Sequence, residues 1–438
     1  MKRTSKTLFS ILLVCAILFS ICSVPAMGYG IISGKVTDSL PETPEDFVPE
    51  VRIAILTDSH NNNKNVAAVI DKANTLYEDD TTYKGVDAIF HLGDFTSVGH
   101  ENDYNAYIET VKAHEKEGTP VITLLGNHEM KRKDADEEFK SLFGYDPNGV
   151  YEINGFSFIA FSGVRSLTEW TFTPSSLKWA SEQLEEAESK AGEKAVFVLQ
   201  HPHNFGTVYG STVWSDPQMN VILKGHNKVV SFSGHSHYPM NDPRSIFQST
   251  YTSVGVGATN TFELDKNLII GQHPDGYDTA AQFCIVEADS DGSVRILEYD
   301  LNSDTIFNEY YIDNVNDQSS YAYTYKNMKA HDSAPVFSEG TTASAAKNEN
   351  GEWVLSFDEA KSNFIVHHYN ITIKDEKGLI VKMGTFIDDY YVIDDDDTAD
   401  FRIGTDTLES GKTYTASIVA VSAYHLHSDR IKLQFVAE

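Results

Sequence analysis

The 438-residue sequence is poor in cysteine and in positive charge, and each shortage excludes a class of protein. Its 3 cysteines are too few to build a disulfide-rich secreted scaffold in a chain of this length. Lys and Arg number 34 against 64 for Asp and Glu, which gives a formal net charge of −30. Such a surface repels phosphate polymers, so we expect no nucleic-acid polymer as a partner. The hydrophobic content of 41% nevertheless suffices for packed cores and excludes a wholly disordered chain.

Long apolar runs are also scarce, because only residues 8–24 form one. Three basic residues precede this run, namely Lys2, Arg3 and Lys6. The small residue Ala26 closes the segment, and the whole pattern predicts a cleaved secretory signal peptide over residues 1–26. The alternative is a retained membrane anchor, although a run of about 17 residues is at the short end for a bilayer span. We therefore expect a secreted, extracellular protein with no integral membrane segment after cleavage.

The remaining chain divides into four stretches of different composition. Residues 27–50 are rich in proline and acidic residues and predict a linker. From 51 to 312, β-branched runs alternate with helical stretches, a pattern typical of a sheet with helices packed on both faces. Residues 313–333 are polar and predict a second linker. Residues 334–438 contain only short strand-like runs, and they predict a separate all-β domain.

Two details of this C-terminal tail bear on its fold and chemistry. Tyr414 begins a predicted strand just after a glycine turn, as in the tyrosine corner of β-sandwich domains. The tail therefore resembles a fibronectin type III module, an immunoglobulin-like sandwich. The acidic run Asp394–Asp397 predicts a solvated loop, with weak cation binding as an alternative.

Potential metal ligands follow five predicted strands in the region 51–312. They are Asp58 and His60, Asp94, Asn127, His201, and His235 and His237, after Val51–Thr57, Ala88–Leu92, Val121–Leu125, Ala195–Leu199 and Val229–Ser233 respectively. Ligands of open α/β sheets bind outside the carboxyl ends of the strands, so we expect these side chains to converge. Carboxylate, amide and imidazole donors without thiolate suit Mn, Fe or Zn. Seven such ligands exceed one tetrahedral site and suit two ions that share a carboxylate.

This ordered set of motifs resembles the calcineurin-like metallophosphoesterase superfamily over residues 51–312. The motifs are Asp58-x-His60, Gly93-Asp94, Gly126-Asn127-His128-Glu129, His201 and Gly234-His235-x-His237. The resemblance implies a four-layer α/β/β/α fold, in which helices flank a β-sandwich. It also implies the ligands of two divalent metal ions: Asp58, His60, Asp94 and His237 for one, and Asp94, Asn127, His201 and His235 for the other. Asp94 would bridge the ions, and His128 would face the substrate without binding metal.

The same resemblance implies hydrolysis of phosphate monoesters or diesters. Two cations would clamp the phosphoryl oxygens of a small phosphorylated substrate while a metal-bridging hydroxide attacks phosphorus in line. The ions would also offset the charge of the substrate, which explains how so acidic a protein could accept an anion. His128 would stabilise or protonate the leaving oxygen, a contribution of about 10²–10⁴-fold.

The sequence departs from some relatives next to Asp94. Purple acid phosphatases have a tyrosine ligand where this chain has Ser97, and Ser/Thr protein phosphatases have Asp and Arg where it has Ser97 and Val98. We therefore expect neither a tyrosinate-to-iron colour nor an arginine clamp on phosphate at this point. The group that orients His128 is left open, with Glu129 as one candidate.

A different class of function is also compatible with the sequence. The chain could be a non-catalytic extracellular surface or binding protein, with a vestigial metal domain and a tail that grips a polymer or partner. The intact ligand set and His128 favour the enzyme. We expect the tail to fold independently, with no effect on turnover of small substrates. Cell-surface or cell-wall association would be its contribution.

Overall fold

The computed structural model describes residues 36–165, 170–266, 269–393 and 397–438. The predicted signal peptide, residues 27–35 of the first predicted linker, and Asp394 to Asp396 of the acidic run lie outside the described residues. Of the helices within these ranges, none combines the length and the hydropathy needed to cross a bilayer.

The first sheet carries the N-terminal motifs. Its six strands are, in spatial order, Thr305–Ile312, Val294–Asp300, Gln282–Ala288, Val51–Leu56, Ala88–His91 and Val121–Thr123. The last three run parallel, whereas Gln282–Ala288 pairs antiparallel with Val51–Leu56. Successive side chains of a strand point to opposite faces, so Ile53 and Ile55 enter one core while Ala54 and Leu56 enter another.

The second sheet faces the first across a shared core. Its strands are, in spatial order, Ile246–Gln248, Thr252–Gly255, Val229–Ser233, Val196–Gln200, Phe156–Phe161 and Gly149–Ile153. The middle four run parallel, and the two outer strands are antiparallel to their neighbours. Phe158, Phe197 and Phe232 project from this sheet into the core that also contains Ile53 and Phe90 of the first sheet. The two sheets therefore form a β-sandwich.

Helices cover the outer face of each sheet. Three of them, Asn63–Thr75, Glu101–His114 and Ala135–Phe143, pack on the first sheet. Pro174–Ala191 and Pro217–Leu223 pack on the second. The order helix, sheet, sheet, helix confirms the predicted four-layer architecture.

Short elements complete the described chain. The two-stranded ribbons pair Val164–Arg165 with Trp170–Thr171, His203–Asn204 with Ser215–Asp216, Leu264–Lys266 with Ile269–Gln272, and Val336–Phe337 with Ala360–Lys361. The 3-10 helices are Glu129–Lys131, Pro243–Ser245, Tyr277–Thr279 and Gln318–Ser320.

The tail is an all-β sandwich, as the sequence predicts. Its three-stranded sheet contains Ala343–Lys347, Trp353–Asp358 and Thr398–Gly404, and its four-stranded sheet contains Ile380–Ile387, Val366–Asp375, Thr413–Ser422 and Ile431–Val436. Trp353 and Tyr369, from different sheets, share one buried core. The hydroxyl of Tyr414 accepts a hydrogen bond of 2.9 Å from the backbone N–H of Glu409, the contact that characterises a tyrosine corner. The likeness to a fibronectin type III module stays a prediction.

Residues 313–333, predicted as a linker from their polarity, are packed against the first sandwich. They contain the helix Tyr325–His331. Tyr323 and Met328 are buried in the core between the two sheets of that sandwich. The segment is therefore part of the packed structure, despite its polar composition.

The tail also buries side chains against the first sandwich. Ile387 and Tyr391 share a core with Tyr209 and Tyr238. The hydroxyl of Tyr209 lies 2.7 Å from Nε2 of His367. The hydroxyl of Tyr391 donates a 2.7 Å hydrogen bond to the carbonyl oxygen of Asp275. Truncation of the tail would therefore expose side chains of the first sandwich that are now buried.

We predict that Tyr391→Ala lowers the free energy of unfolding by about 3 kcal/mol, as do other large-to-small changes in cores. The loss should be measured by urea unfolding. Val392→Ala, at an exposed neighbouring position, is the matched control and should leave the midpoint unchanged. Equal midpoints for the two variants would show that the contact between the regions does not contribute to stability.

Candidate metal centre

The seven predicted ligands meet at one edge of the sandwich. Asp58, His60, Asp94 and Asn127 lie on loops that follow strands of the first sheet, whereas His201, His235 and His237 lie on loops that follow strands of the second. The ligand set therefore spans both sheets. The structure brings these strand ends together, and it divides them between two sheets rather than setting them side by side in one.

The backbone at this edge adopts an unusual conformation. Nine described non-glycine residues have positive φ, and five of them belong to the predicted ligand set: Asp58, His60, Asp94, His235 and His237. Each such residue costs of order 1–3 kcal/mol and persists only where the surrounding structure holds it. Strain concentrated on these residues indicates a functional site.

Three glycines allow the ligand loops to approach one another. A Cβ on Gly126 would overlap the carboxylate of Asp94, and one on Gly234 would overlap Thr57 and the carboxylate of Asp58. A Cβ on Gly93 would come within 2.5 Å of the backbone nitrogen of Gly126. The glycines in the predicted motifs are therefore required by close contact between neighbouring loops.

Asp58, His60 and His237 form the first group of potential ligands, with one donor atom of each within 4.8 Å of the others. Nε2 of His237 lies 3.2 Å from Oδ1 of Asp58 and 2.9 Å from Nε2 of His60. Two imidazole nitrogens at this separation cannot both present a lone pair without a proton or a cation between them. The arrangement suits a shared positive ion.

Asp94, His201 and His235 form the second group. Nε2 of His201 lies 3.3 Å from Oδ2 of Asp94 and 3.0 Å from Oδ1 of Asn127. The same Oδ2 of Asp94 is 3.8 Å from Nε2 of His60, a member of the first group. The carboxylate of Asp94 therefore faces ligands of both groups.

Hydrogen bonds to two of the ring nitrogens determine which atom each histidine offers. Nδ1 of His237 lies 2.8 Å from the hydroxyl of Thr261, and Nδ1 of His201 lies 3.2 Å from the carbonyl oxygen of Leu92. The carbonyl can only accept, so Nδ1 of His201 carries a proton, and Nε2 is the atom that the ring can offer to a cation once its own proton is released. Such outer partners are usual for metal-binding histidines.

The residues present fit a bound divalent cation. Oδ1 of Asp58 is buried and has no well-formed hydrogen bond among the described residues. Its other oxygen accepts hydrogen bonds of 2.8 Å from the Thr57 hydroxyl and from the backbone N–H of His235. One oxygen is thus oriented by the protein while the other points toward the histidines. Carboxylate, amide and imidazole donors are those that Mn, Fe and Zn accept.

The electrostatics of the metal-free site are dominated by burial and by the two carboxylates. Burial alone would raise the pKa of Asp94, but the imidazoles of His201, His60 and His128 outweigh it and hold that pKa well below its usual range. Burial would lower the pKa of His201, yet Asp94 and Asp58 raise it to about 9. His60 lacks so strong a partner, and burial lowers its pKa to about 4. His201 therefore carries compensating charge when no metal is bound, and Asp58 likewise raises the pKa of His237 against the effect of burial.

His128 lies beside the two groups, and a donor atom of its ring is also within 4.8 Å of donor atoms of His60 and Asp94. Its side chain is 29% exposed, and Nε2 lies 3.9 Å from Oδ2 of Asp94. Nδ1 is 2.6 Å from the carbonyl oxygen of Ser97, to which it donates. The ammonium of Lys131 lies 3.0 Å from the same ring nitrogen. The backbone carbonyl of Ser97 therefore orients His128, at the position where some relatives have a carboxylate.

Glu129 does not orient His128, contrary to the interpretation offered from the sequence. Its buried carboxylate accepts hydrogen bonds of 2.8–2.9 Å from the backbone N–H groups of Asp94, Thr96 and Gly126. Burial and the charge of Asp94 raise the pKa of Glu129 to about 7. Glu129 thus stabilises the loops of Asp94 and Asn127 through hydrogen bonds to their backbone N–H groups. Its position next to the His128 motif was visible in the sequence, but its partners are backbone groups that carry no sequence signal.

Two further side chains support the loop of His235 and His237. His203 is buried, and its ring nitrogens lie 2.8 Å from the hydroxyls of Ser233 and Ser236. The ring of Trp214 meets that of His235 edge to face, with centroids 5.3 Å apart. His203 therefore contacts the loop rather than the open side of the site.

Comparison with known families finds a match within the first sandwich. Residues 51–239 match the family model of the calcineurin-like phosphoesterases. This part of the chain is thus a domain of that superfamily, and the match supports metal-dependent hydrolysis of phosphoesters. No curated protein matches the chain.

Solved structures match parts of the chain at low similarity. A purple acid phosphatase from yellow lupin (Lupinus luteus) has 14% identity and a TM-score of 0.41 over 60% of this chain, which spans only 53% of that enzyme. A protein from Thermus thermophilus has 12% identity and a TM-score of 0.33 over 61% of this chain and 100% of its own. A fibronectin type III-like protein from Clostridium thermocellum has 18% identity and a TM-score of 0.16 over 24% of this chain and 96% of its own.

We predict that Glu129→Gln weakens Mn²⁺ binding by about 10–100-fold, because the amide would turn an N–H group toward backbone donors that now meet a carboxylate. Calorimetric titration would measure the loss. Glu137→Gln, on the exposed side of the adjacent helix, is the control and should bind as the wild type does. Unchanged affinity in Glu129→Gln would contradict the supporting role.

We also predict that metal affinity rises with pH between about 6.5 and 8.5. The pKa of His201 is raised to about 9 in the metal-free site, so its ring is protonated over this range and must release that proton when Nε2 binds a cation. Titrations in buffers of different ionisation enthalpy would count the released protons. An affinity independent of pH would show that His201 is not a ligand.

Proposed function

We propose that the chain is a secreted phosphoesterase that uses two divalent ions, Mn, Fe or Zn, to hydrolyse phosphate monoesters or diesters. The observation that carries this proposal is the position of Asp94. Its Oδ2 lies 3.3 Å from Nε2 of His201 and 3.8 Å from Nε2 of His60, which belong to different ligand groups. One carboxylate between two groups of donors is the arrangement expected of a pair of ions that share a ligand.

The protein's own residues would hold and orient this pair. Asp58, His60, Asp94 and His237 would bind one ion, and Asp94, Asn127, His201 and His235 would bind the other. Bound ions would supply an activated water and positive charge for the phosphoryl oxygens. Glu129, through the backbone of Asp94 and Gly126, would keep the shared carboxylate in place.

His128 would act on the leaving oxygen of the substrate. Its Nδ1 donates to the carbonyl of Ser97, so Nε2 points toward the side of Asp94 and is the atom available to a substrate. The partial exposure of this ring, in contrast to the buried aspartates, supports this role because a phosphate ester could approach it. Protonation or stabilisation of a leaving oxygen there would contribute about 10²–10⁴-fold.

The cationic side chain near His128 is a lysine, which distinguishes this site from those with an arginine clamp on phosphate. Val98 lies where some relatives have arginine, whereas Lys131 lies 3.0 Å from His128. The lysine would add positive charge beside the leaving group. The substrate would be a small phosphorylated molecule outside the cell, and the tail would contribute attachment to the cell surface or wall.

The alternative is a binding protein with a vestigial metal domain. The strained ligand loops argue that this region still binds metal, because left-handed conformations at five ligand positions destabilise the fold without any benefit if no metal binds. Two bound ions without turnover of any phosphate ester would support this alternative.

We predict that His128→Ala retains metal but reduces hydrolysis of a bis-aryl phosphate by about 10²–10⁴-fold. Metal content by mass spectrometry and initial rates on a panel of monoesters and diesters would test both parts. His100→Ala, at an exposed position, is the control. Asp94→Ala is the complementary variant, and it should lose metal because the shared carboxylate is gone. Metal loss in His128→Ala, or full metal content in Asp94→Ala, would contradict the assigned roles.

A further inference from the structure

A second group of acidic side chains lies in the tail, outside the candidate metal centre. Glu359, Asp388 and Asp389 each place one carboxylate oxygen within 4.8 Å of the others. Glu359 follows the strand Trp353–Asp358 of the three-stranded sheet, and the two aspartates follow Ile380–Ile387 of the four-stranded sheet. The acidic cluster therefore joins chain segments that leave different sheets of the sandwich.

Asp388 distinguishes this cluster from an ordinary acidic surface. Asp388 is only 4% exposed, and its Oδ1 accepts no hydrogen bond from the residues that the structure describes. An unpartnered buried polar atom costs about 1–3 kcal/mol, and more when it is charged. Water does not reach this oxygen, so solvation cannot offset the cost. A positively charged partner would offset this cost.

The neighbouring charges increase the need for such a partner. Burial raises the pKa of Asp388 well above its usual range, and the carboxylates of Glu359 and Asp389 raise it further. A proton on Asp388 would neutralise one of the three groups. A divalent cation would interact with all three at once, so it compensates the cluster more completely.

We propose that Glu359, Asp388 and Asp389 bind a hard divalent cation, with Ca²⁺ as the ion that fits. All three donors are carboxylates, and oxygen-only ligands favour calcium or magnesium over the metals that imidazoles prefer. The cluster is graded from the buried Asp388 through the half-buried Glu359 to the exposed Asp389. The exposed end gives the ion a path from solvent and leaves positions for water, which the flexible coordination of calcium accepts.

A bound ion would also hold the segment that connects the two regions. Ile387 and Tyr391 flank the two aspartates and pack on Tyr209 and Tyr238 of the first sandwich. The backbone N–H of Asp388 donates to the carbonyl of His367, whose ring contacts the hydroxyl of Tyr209. Calcium should therefore stabilise the full chain against thermal unfolding.

The test uses the full chain, freed of calcium with a chelating resin and then given stoichiometric Mn²⁺ to fill the imidazole-rich centre. Titration with Ca²⁺ should show saturable binding by calorimetry and a rise in unfolding temperature. Asp389→Asn, an exposed change that leaves folding intact, should weaken this binding about tenfold or more. Asp406→Asn, at an exposed position of the same sandwich, should respond as the wild type does.

Asp388→Asn gives the sharper result. Without calcium it should unfold at a higher temperature than the wild type, because it removes a buried charge, and calcium should not stabilise it further. With calcium the order should reverse. An unfolding temperature of the wild type that does not change with calcium would overturn the proposal. So would the same calcium response in the wild type and both Asn variants, or a wild type whose stability responds to pH but not to calcium.

Discussion

The structure depends most on the burial of two carboxylates, Asp58 and Asp94, among imidazole rings. Both aspartates are at most 1% exposed. A buried carboxylate is costly unless it is paired, and the partners here are histidines whose own charge depends on the metal. Without metal, His201 compensates by holding a proton. A bound cation would displace that proton and compensate the carboxylates in its place. Metal binding, proton release and stability would therefore be coupled in this protein.

The fold could be predicted from the sequence largely because its strands are marked by β-branched runs and its loops by glycine. The runs beginning at Val51, Ala88 and Val121 became parallel neighbours, and the helices between them cover the outer face. The segment 313–333 was harder, since its polar residues concealed Tyr323 and Met328, whose burial depends on contacts with distant strands. Composition records average polarity, whereas burial is decided by a few side chains.

The candidate site could be predicted as a set of residues but not as a geometry. Motif spacing placed the ligands after strands, and the structure brings them together. Positive φ at Asp58 and His235 is invisible in sequence, because neither residue type requires that conformation. The orientation of His128 also depends on a backbone carbonyl, that of Ser97, and any residue at position 97 supplies a carbonyl. Side-chain motifs reveal ligands, but main-chain partners appear only in three dimensions.

The predicted ligands are divided between two sheets, and the tail packs close to one of their loops. Asp58 and Asp94 follow strands of the first sheet, while His201 and His237 follow strands of the second, so the distances among them depend on how the sheets pack. Tyr238 directly follows His237 and is buried against Tyr209, in a core that the tail completes with Ile387 and Tyr391. A loop held in a left-handed conformation at His237 needs such support to remain there. The tail therefore packs against the residue next to a predicted ligand, although the predicted ligands themselves all lie between residues 58 and 237.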